Sequence, residues 1–89
     1  MIRKEVKIIN TLGLHAHPAS RLVKIASLSS AEFWVEKDGQ RVNGKSIMGV
    51  MMLAAGKGTT IELIASGEDE QEAIDRLETL IKGRFGEDQ

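Results

Sequence analysis

Gly13-Leu14-His15-Ala16-His17-Pro18-Ala19-Ser20 is the stretch on which the fold turns. Upstream of it, Ile2, Val6 and Ile8 alternate with Arg3, Glu5 and Lys7, the pattern of a half-buried strand. Downstream, Ala19, Leu22, Val23 and Ala26 recur at helical spacing to about Ser27, with Ser20, Arg21 and Lys24 on the solvent side. Pro18 suits the first turn of that helix, where a missing N–H would have had no partner anyway. The stretch therefore converts a strand into a helix. It also sets His15 beside unpartnered backbone N–H groups and the positive end of the helix dipole, a place suited to an anion.

The other elements follow from the same two periods. Ala31, Phe33 and Val35 alternate with Glu32, Trp34 and Glu36, a second strand. Asp38-Gly39 is a two-residue hairpin signal, so Gln40 to Asn43 returns as a third strand. Ser46 is an N-cap for a short helix to about Leu53, and Gly56-Lys57-Gly58 is a loop. Thr60 to Ala65 turns Ile61, Leu63 and Ala65 inward as a fourth strand. Asp69 with Glu72 reads as a capping-box-like start for a last helix carrying Ala73, Leu77, Leu80 and Ile81, with Gly83 and Gly86 as candidate stops. The order β-α-β-β-α-β-α predicts an α+β fold, a four-stranded antiparallel sheet with three helices on one side.

Composition bounds the classes of function. Eighty-nine residues predict one domain, 1–89, with 42% apolar and 28% charged residues. The absence of cysteine excludes a disulfide framework and thiolate metal sites. The longest apolar run, Ile47 to Ala55, is broken by Gly49 and is far short of a membrane span, and the N-terminus reads as strand rather than signal peptide. A soluble cytoplasmic protein is expected. A formal net charge of −1 argues against nucleic acid as a partner. The charge is uneven, with eight Lys/Arg against four Asp/Glu in residues 1–45 and four against nine in 46–89. That polarity suits an acidic partner or a phosphate near the first half, although the acidic cluster at Glu68 to Glu72 also simply charges a helix start.

Several residues are candidates for chemistry. The helix dipole opposes protonation of His15 and so favours the nucleophilic ring, and flanking Gly13 and Ala16 leave it open. The plainer reading is a histidine that simply ends a strand or caps a helix. His17 is a second cation for a phosphate, half of a His-x-His metal pair, or an incidental surface residue. No cofactor is expected. Ile47, Met48, Val50, Met51, Met52 and Leu53 leave the short helix almost no polar side, so it is either a packed core helix or a methionine-bearing patch for partners. Gly39-Gln40-Arg41-Val42-Asn43-Gly44-Lys45-Ser46 satisfies the G-x-x-x-x-G-K-[ST] phosphate-loop pattern, but a hairpin and a strand account for those residues better. Ser46 at a helix start is a plain cap, or a hydroxyl whose phosphate the dipole would favour.

The stretch Gly13 to Ser20 together with Asn43-Gly44-Lys45-Ser46-Ile47-Met48-Gly49-Val50-Met51 resembles HPr, the histidine-containing phosphocarrier family of the bacterial phosphotransferase system. The resemblance runs nearly end to end in length, element order and motif position. It implies an open-faced β-sandwich and a carrier rather than an enzyme. His15 would accept a phosphoryl group at Nδ1 from enzyme I and pass it to a IIA domain. It further implies that Ser46 is the target of an HPr kinase/phosphorylase where that enzyme exists. Ala16, Ser20, Arg21, Lys24, Ile47, Met48, Met51 and Met52 would then form the docking face of a monomer. The family carries arginine at position 17, a fork that holds phosphoryl oxygens bidentately, and this chain has His17.

Overall fold

The structure, a computed structural model, describes residues 1–86. The last three positions of the expected 1–89 unit lie outside the described residues. The element order is β1 (Ile2–Lys7), α1 (Ala16–Ser27), β2 (Glu32–Lys37), β3 (Gln40–Asn43), α2 (Ile47–Met52), β4 (Thr60–Ser66) and α3 (Glu70–Lys82), followed by a left-handed turn at Arg84–Gly86. The strands form an antiparallel sheet in the order β1-β4-β2-β3. The three helices cover one face, as the periodicity predicts, and the result is an open-faced sandwich.

The core lies between sheet and helices. Val6, Phe33, Val35, Ile61, Leu63 and Ala65 face Leu22 and Ala26 of α1, Val50 of α2, and Ile74, Leu77 and Ile81 of α3. Full burial of each of these side chains other than the alanines contributes about 1.5–3 kcal/mol of transfer free energy. Asp38 and Gly39 both have positive φ, +50° and +80°, the backbone of a tight hairpin turn. Gly39 to Ser46 is thus turn, strand and turn, and not a phosphate loop between a strand and a helix.

The uncovered face of the sheet is laced with charge. Arg3 pairs with Glu62 and Glu36, and Arg41 pairs with Glu36 while lying 5.9 Å from the centre of the Trp34 ring. In this lattice Ile64 sits between Arg3 and Trp34 in register and is fully buried. Strict alternation assigns it to solvent, but long neighbours in adjacent strands roof it over.

Asp69 corrects the expected capping box. It occupies the N-cap position of α3, yet its carboxylate makes no bond to that helix. It accepts instead from the Ser29 hydroxyl at 2.7 Å, the Ala31 N–H at 3.1 Å and the Ser30 N–H at 3.3 Å, across the α1–β2 loop. Lys45 anchors the same loop by donating to the Ser29 carbonyl at 2.8 Å. The reciprocal bond at the start of α3 is made by Glu70, which accepts from Gly67 N–H at 3.0 Å. The loop's donors won the aspartate because two serine hydroxyls and two N–H groups offer it more bonds than one helix end does.

The hydroxyl of Ser29, with help from the neighbouring N–H groups, holds the Asp69 carboxyl below the usual aspartate range. Its contribution to stability is therefore present above the ordinary aspartate pKa of about 3.9 and is lost as pH falls through the lowered folded value. Asp69→Asn is expected to lower the urea midpoint at pH 7 and to shrink the difference between pH 7 and pH 3. The effect is partial, because Glu70 and Glu78 are lowered in the same sense. An unchanged pH difference would refute the assignment.

Candidate phosphoryl-acceptor site

The site is built by the turn before α1. Gly13 has φ +68°, and a Cβ there would lie 2.5 Å from the Ala55 carbonyl oxygen. Glycine alone permits that approach. The buried Asn10 side-chain amide donates to the Gly13 carbonyl at 3.0 Å, and Leu14 N–H donates to the Ala55 carbonyl at 2.9 Å. These bonds lock the 10–14 turn to the segment after α2 and fix the point where α1 begins.

His15 is the N-cap residue of α1, with extended backbone, φ −75° and ψ −176°. Its carbonyl accepts from Ala19 N–H at 2.8 Å, while its imidazole makes no capping bond and stands exposed. The N–H groups of Ala16 and His17 precede the first intrahelical bond, Pro18 has none to offer, and the first turn carries no acidic side chain. An anion on the ring thus meets two free donors and the positive end of a helix three turns long. His17 is exposed as well, and neither histidine side chain takes part in a hydrogen bond or ion pair among the described residues. No group of three or more His, Cys, Asp or Glu among those residues is arranged to hold a metal ion.

Helix α2 supplies the neighbouring surface. Ser46 caps it, its Oγ accepting from Gly49 N–H at 3.1 Å. Val50 and Leu53 point into the core, whereas Met48 and Met52 are 75% and 67% exposed and Ile47 and Met51 about 40%. Of the two readings open to this helix, the structure favours the methionine-bearing patch. Met51 and His15 line one hollow of about 210 Å³ with Leu12, Leu14, Ala54, Ala55 and Gly56. Ala16, Ser20 and Lys24 lie exposed on α1, and the Arg21 guanidinium lies against Gly86.

The wall formed by Leu12 and residues 54–56 is absent from the sequence reading. Ala54 ends α2 in the left-handed region, φ +51°, a position usually marked by glycine and here by a residue that signals nothing. Gly56, two positions on, was the available hint.

A small open-faced sandwich presenting an unengaged imidazole at a helix start, beside an adaptable apolar patch, has the form of a group carrier rather than of an enclosed active site. A family model for the phosphotransferase-system HPr component phosphorylation site matches residues 2–83. The chain is 54% identical over 87 residues to phosphocarrier protein HPr of Neisseria meningitidis serogroup A, covering 98% of both chains. It is 48% identical over 82 residues to the HPr-like protein Crh of Halalkalibacterium halodurans, covering 92% of this chain and 98% of that one. The crystal structure of HPr-C-His from Thermoanaerobacter tengcongensis superposes with a TM-score of 0.97 at 47% identity over the whole of both chains. The chain belongs to the HPr family of phosphocarrier proteins of the phosphotransferase system. No helix among the described residues is long and apolar enough to cross a membrane.

Proposed function

We propose that this chain carries a phosphoryl group on His15 Nδ1, taking it from phosphorylated enzyme I and giving it to a IIA domain. The observation that carries the reading is the exposed, unengaged His15 imidazole at the start of α1. In the accepting step the unprotonated ring nitrogen attacks phosphorus, and the N–P bond forms as the bond to the donor breaks. The Ala16 and His17 N–H groups then face the phosphoryl oxygens. The chain is the covalent intermediate between two enzymes and works as a cytoplasmic monomer. Ala16, Ser20, Arg21 and Lys24 with Ile47, Met48, Met51 and Met52 form its docking face, whose methionines suit a succession of partners.

Ser46 is the regulatory site in this reading. Its phosphate would rest on the start of α2, beside the same face, and oppose docking of an acidic enzyme I. A second reading, a regulatory binding module that transfers little, is favoured by His17. Enzyme I with labelled phosphoenolpyruvate separates the two. Acid-labile label on the chain supports the carrier. Label confined to Ser46, after ATP and the kinase, supports the module.

His17 sets how long the phosphate lasts. A histidine offers fewer donors than an arginine fork and cannot hold two phosphoryl oxygens bidentately. His17→Arg is therefore expected to slow hydrolysis of phospho-His15 at pH 8 by roughly threefold to tenfold, the worth of one charge-assisted bidentate contact at an exposed site. Equal lifetimes in the two proteins would exclude a stabilising role for position 17.

A further inference from the structure

The partners of the basic side chains are unevenly distributed. Arg3, Lys4, Arg41, Arg76 and Lys82 are ion-paired, and Lys37 and Lys45 donate to backbone carbonyls. Among the described residues five cations keep no such partner: Lys7, Arg21, Lys24, Lys57 and Arg84. Arg21 and Lys24 belong to α1. The other three, from the end of β1, the loop before β4 and the turn after α3, line one open hollow of about 510 Å³. Ile8, Ile9, Thr11 and Gly58 complete its wall.

Three like charges gathered without an ion-pair partner among the described residues repel one another, so the fold must hold them there. It does so at two points. Gly58, at φ +88°, donates to the Ile8 carbonyl at 2.7 Å, which pins Lys57 beside Ile8 and Lys7. Arg84 and Phe85 both have φ +56°, a conformation that costs about 1–2 kcal/mol for each such residue. Burial of the Phe85 ring, fully enclosed against α1 and α3, offsets that strain and leaves Arg84 facing the hollow.

We propose that this hollow binds a phosphate monoester, a phosphorylated small metabolite, at a site separate from His15. The three cations and the Thr11 hydroxyl supply the recognition of a dianion. The half-buried Ile9 offers apolar surface to the carbon skeleton of an ester, and an open hollow of this size admits a small molecule. The hollow shares no lining residue with the one at His15, though both are walled by the 10–14 turn and the 54–59 segment.

The test is an amide NMR titration of the full chain with glucose 6-phosphate, with inorganic phosphate and glucose as parallel arms, at ionic strength held constant with chloride. Saturable shifts centred on the Thr11, Gly58 and Arg84 amides are expected, with half-saturation at about 1–5 mM for so open a site. Glucose should leave the spectrum unchanged, and inorganic phosphate should bind at least about threefold more weakly. The exposed double variant Lys57→Gln/Arg84→Gln should keep the spectrum of a folded chain and lose affinity by more than about tenfold. Four results would overturn the proposal: shifts that never saturate, shifts centred on Ala16 and His17, an undiminished response in the variant, or inorganic phosphate binding as tightly as the ester.

Discussion

Replacing His15 with alanine is expected to cut acceptance of phosphate from enzyme I by more than about 10³-fold while leaving the fold untouched. The contrast follows from how the side chain is placed. The helix is started by the backbone, since the His15 carbonyl and not its ring accepts the first intrahelical bond, from Ala19. The exposed imidazole makes no hydrogen bond or ion pair among the described residues, so its loss should shift stability by no more than about 0.5 kcal/mol. Acid-labile label from phosphoenolpyruvate, read beside the thermal midpoint, checks both halves. Ser46→Ala should retain the label. Acid-labile label that persists in His15→Ala would move the acceptor elsewhere and sink the assignment.

Gly13→Val is expected to do the reverse, damaging the fold and the site together. Valine at φ +68° sits in the left-handed region, and its Cβ would lie 2.5 Å from the Ala55 oxygen and 2.8 Å from the Gly56 Cα. Both neighbours are backbone and have no rotamer by which to yield. The strain and the clash together should cost about 3 kcal/mol or more, a fall of at least about 10 °C in the thermal midpoint of a domain this size. Gly39→Val is the control, because its φ is +80° with nothing within 4 Å of the added Cβ. It should lose only the conformational part, about 1–2 kcal/mol. Equal losses in the two variants would show that the contact with Ala55 and Gly56 is not what glycine protects.

Local signals carried most of the fold. Alternation in β1, β2 and β4, the Asp38-Gly39 turn, Pro18 in the first turn of α1 and Ser46 before α2 each act within a few residues, so each was legible in sequence. The exposed methionines of α2 were half legible, because a helix apolar all round is either buried or meets a partner, and only the packing decides between the two. What escaped was decided across the fold. Asp69 left its own helix for a loop 38–40 positions away. Ile64 was roofed by Arg3 and Trp34 from adjacent strands. Ala54, Arg84 and Phe85 took left-handed backbone without a glycine or asparagine to announce it. The convergence of Lys7, Lys57 and Arg84 has no motif at all, since the three sit far apart in the chain.

The strand order also bears on how the molecule is made. Among the described residues β1 is an edge strand paired with β4 alone, with Ile2 opposite Ala65 and Lys7 opposite Thr60. A nascent chain emerges N-terminus first, so β1 lacks its partner until residues 60–66 have left the ribosome. Pairings this distant in sequence are slow to form. The turn that aims His15 leans on Ala55 and Gly56, also late in the chain. Molecules in which residues 55–66 have yet to emerge therefore hold the histidine but not the turn geometry around it.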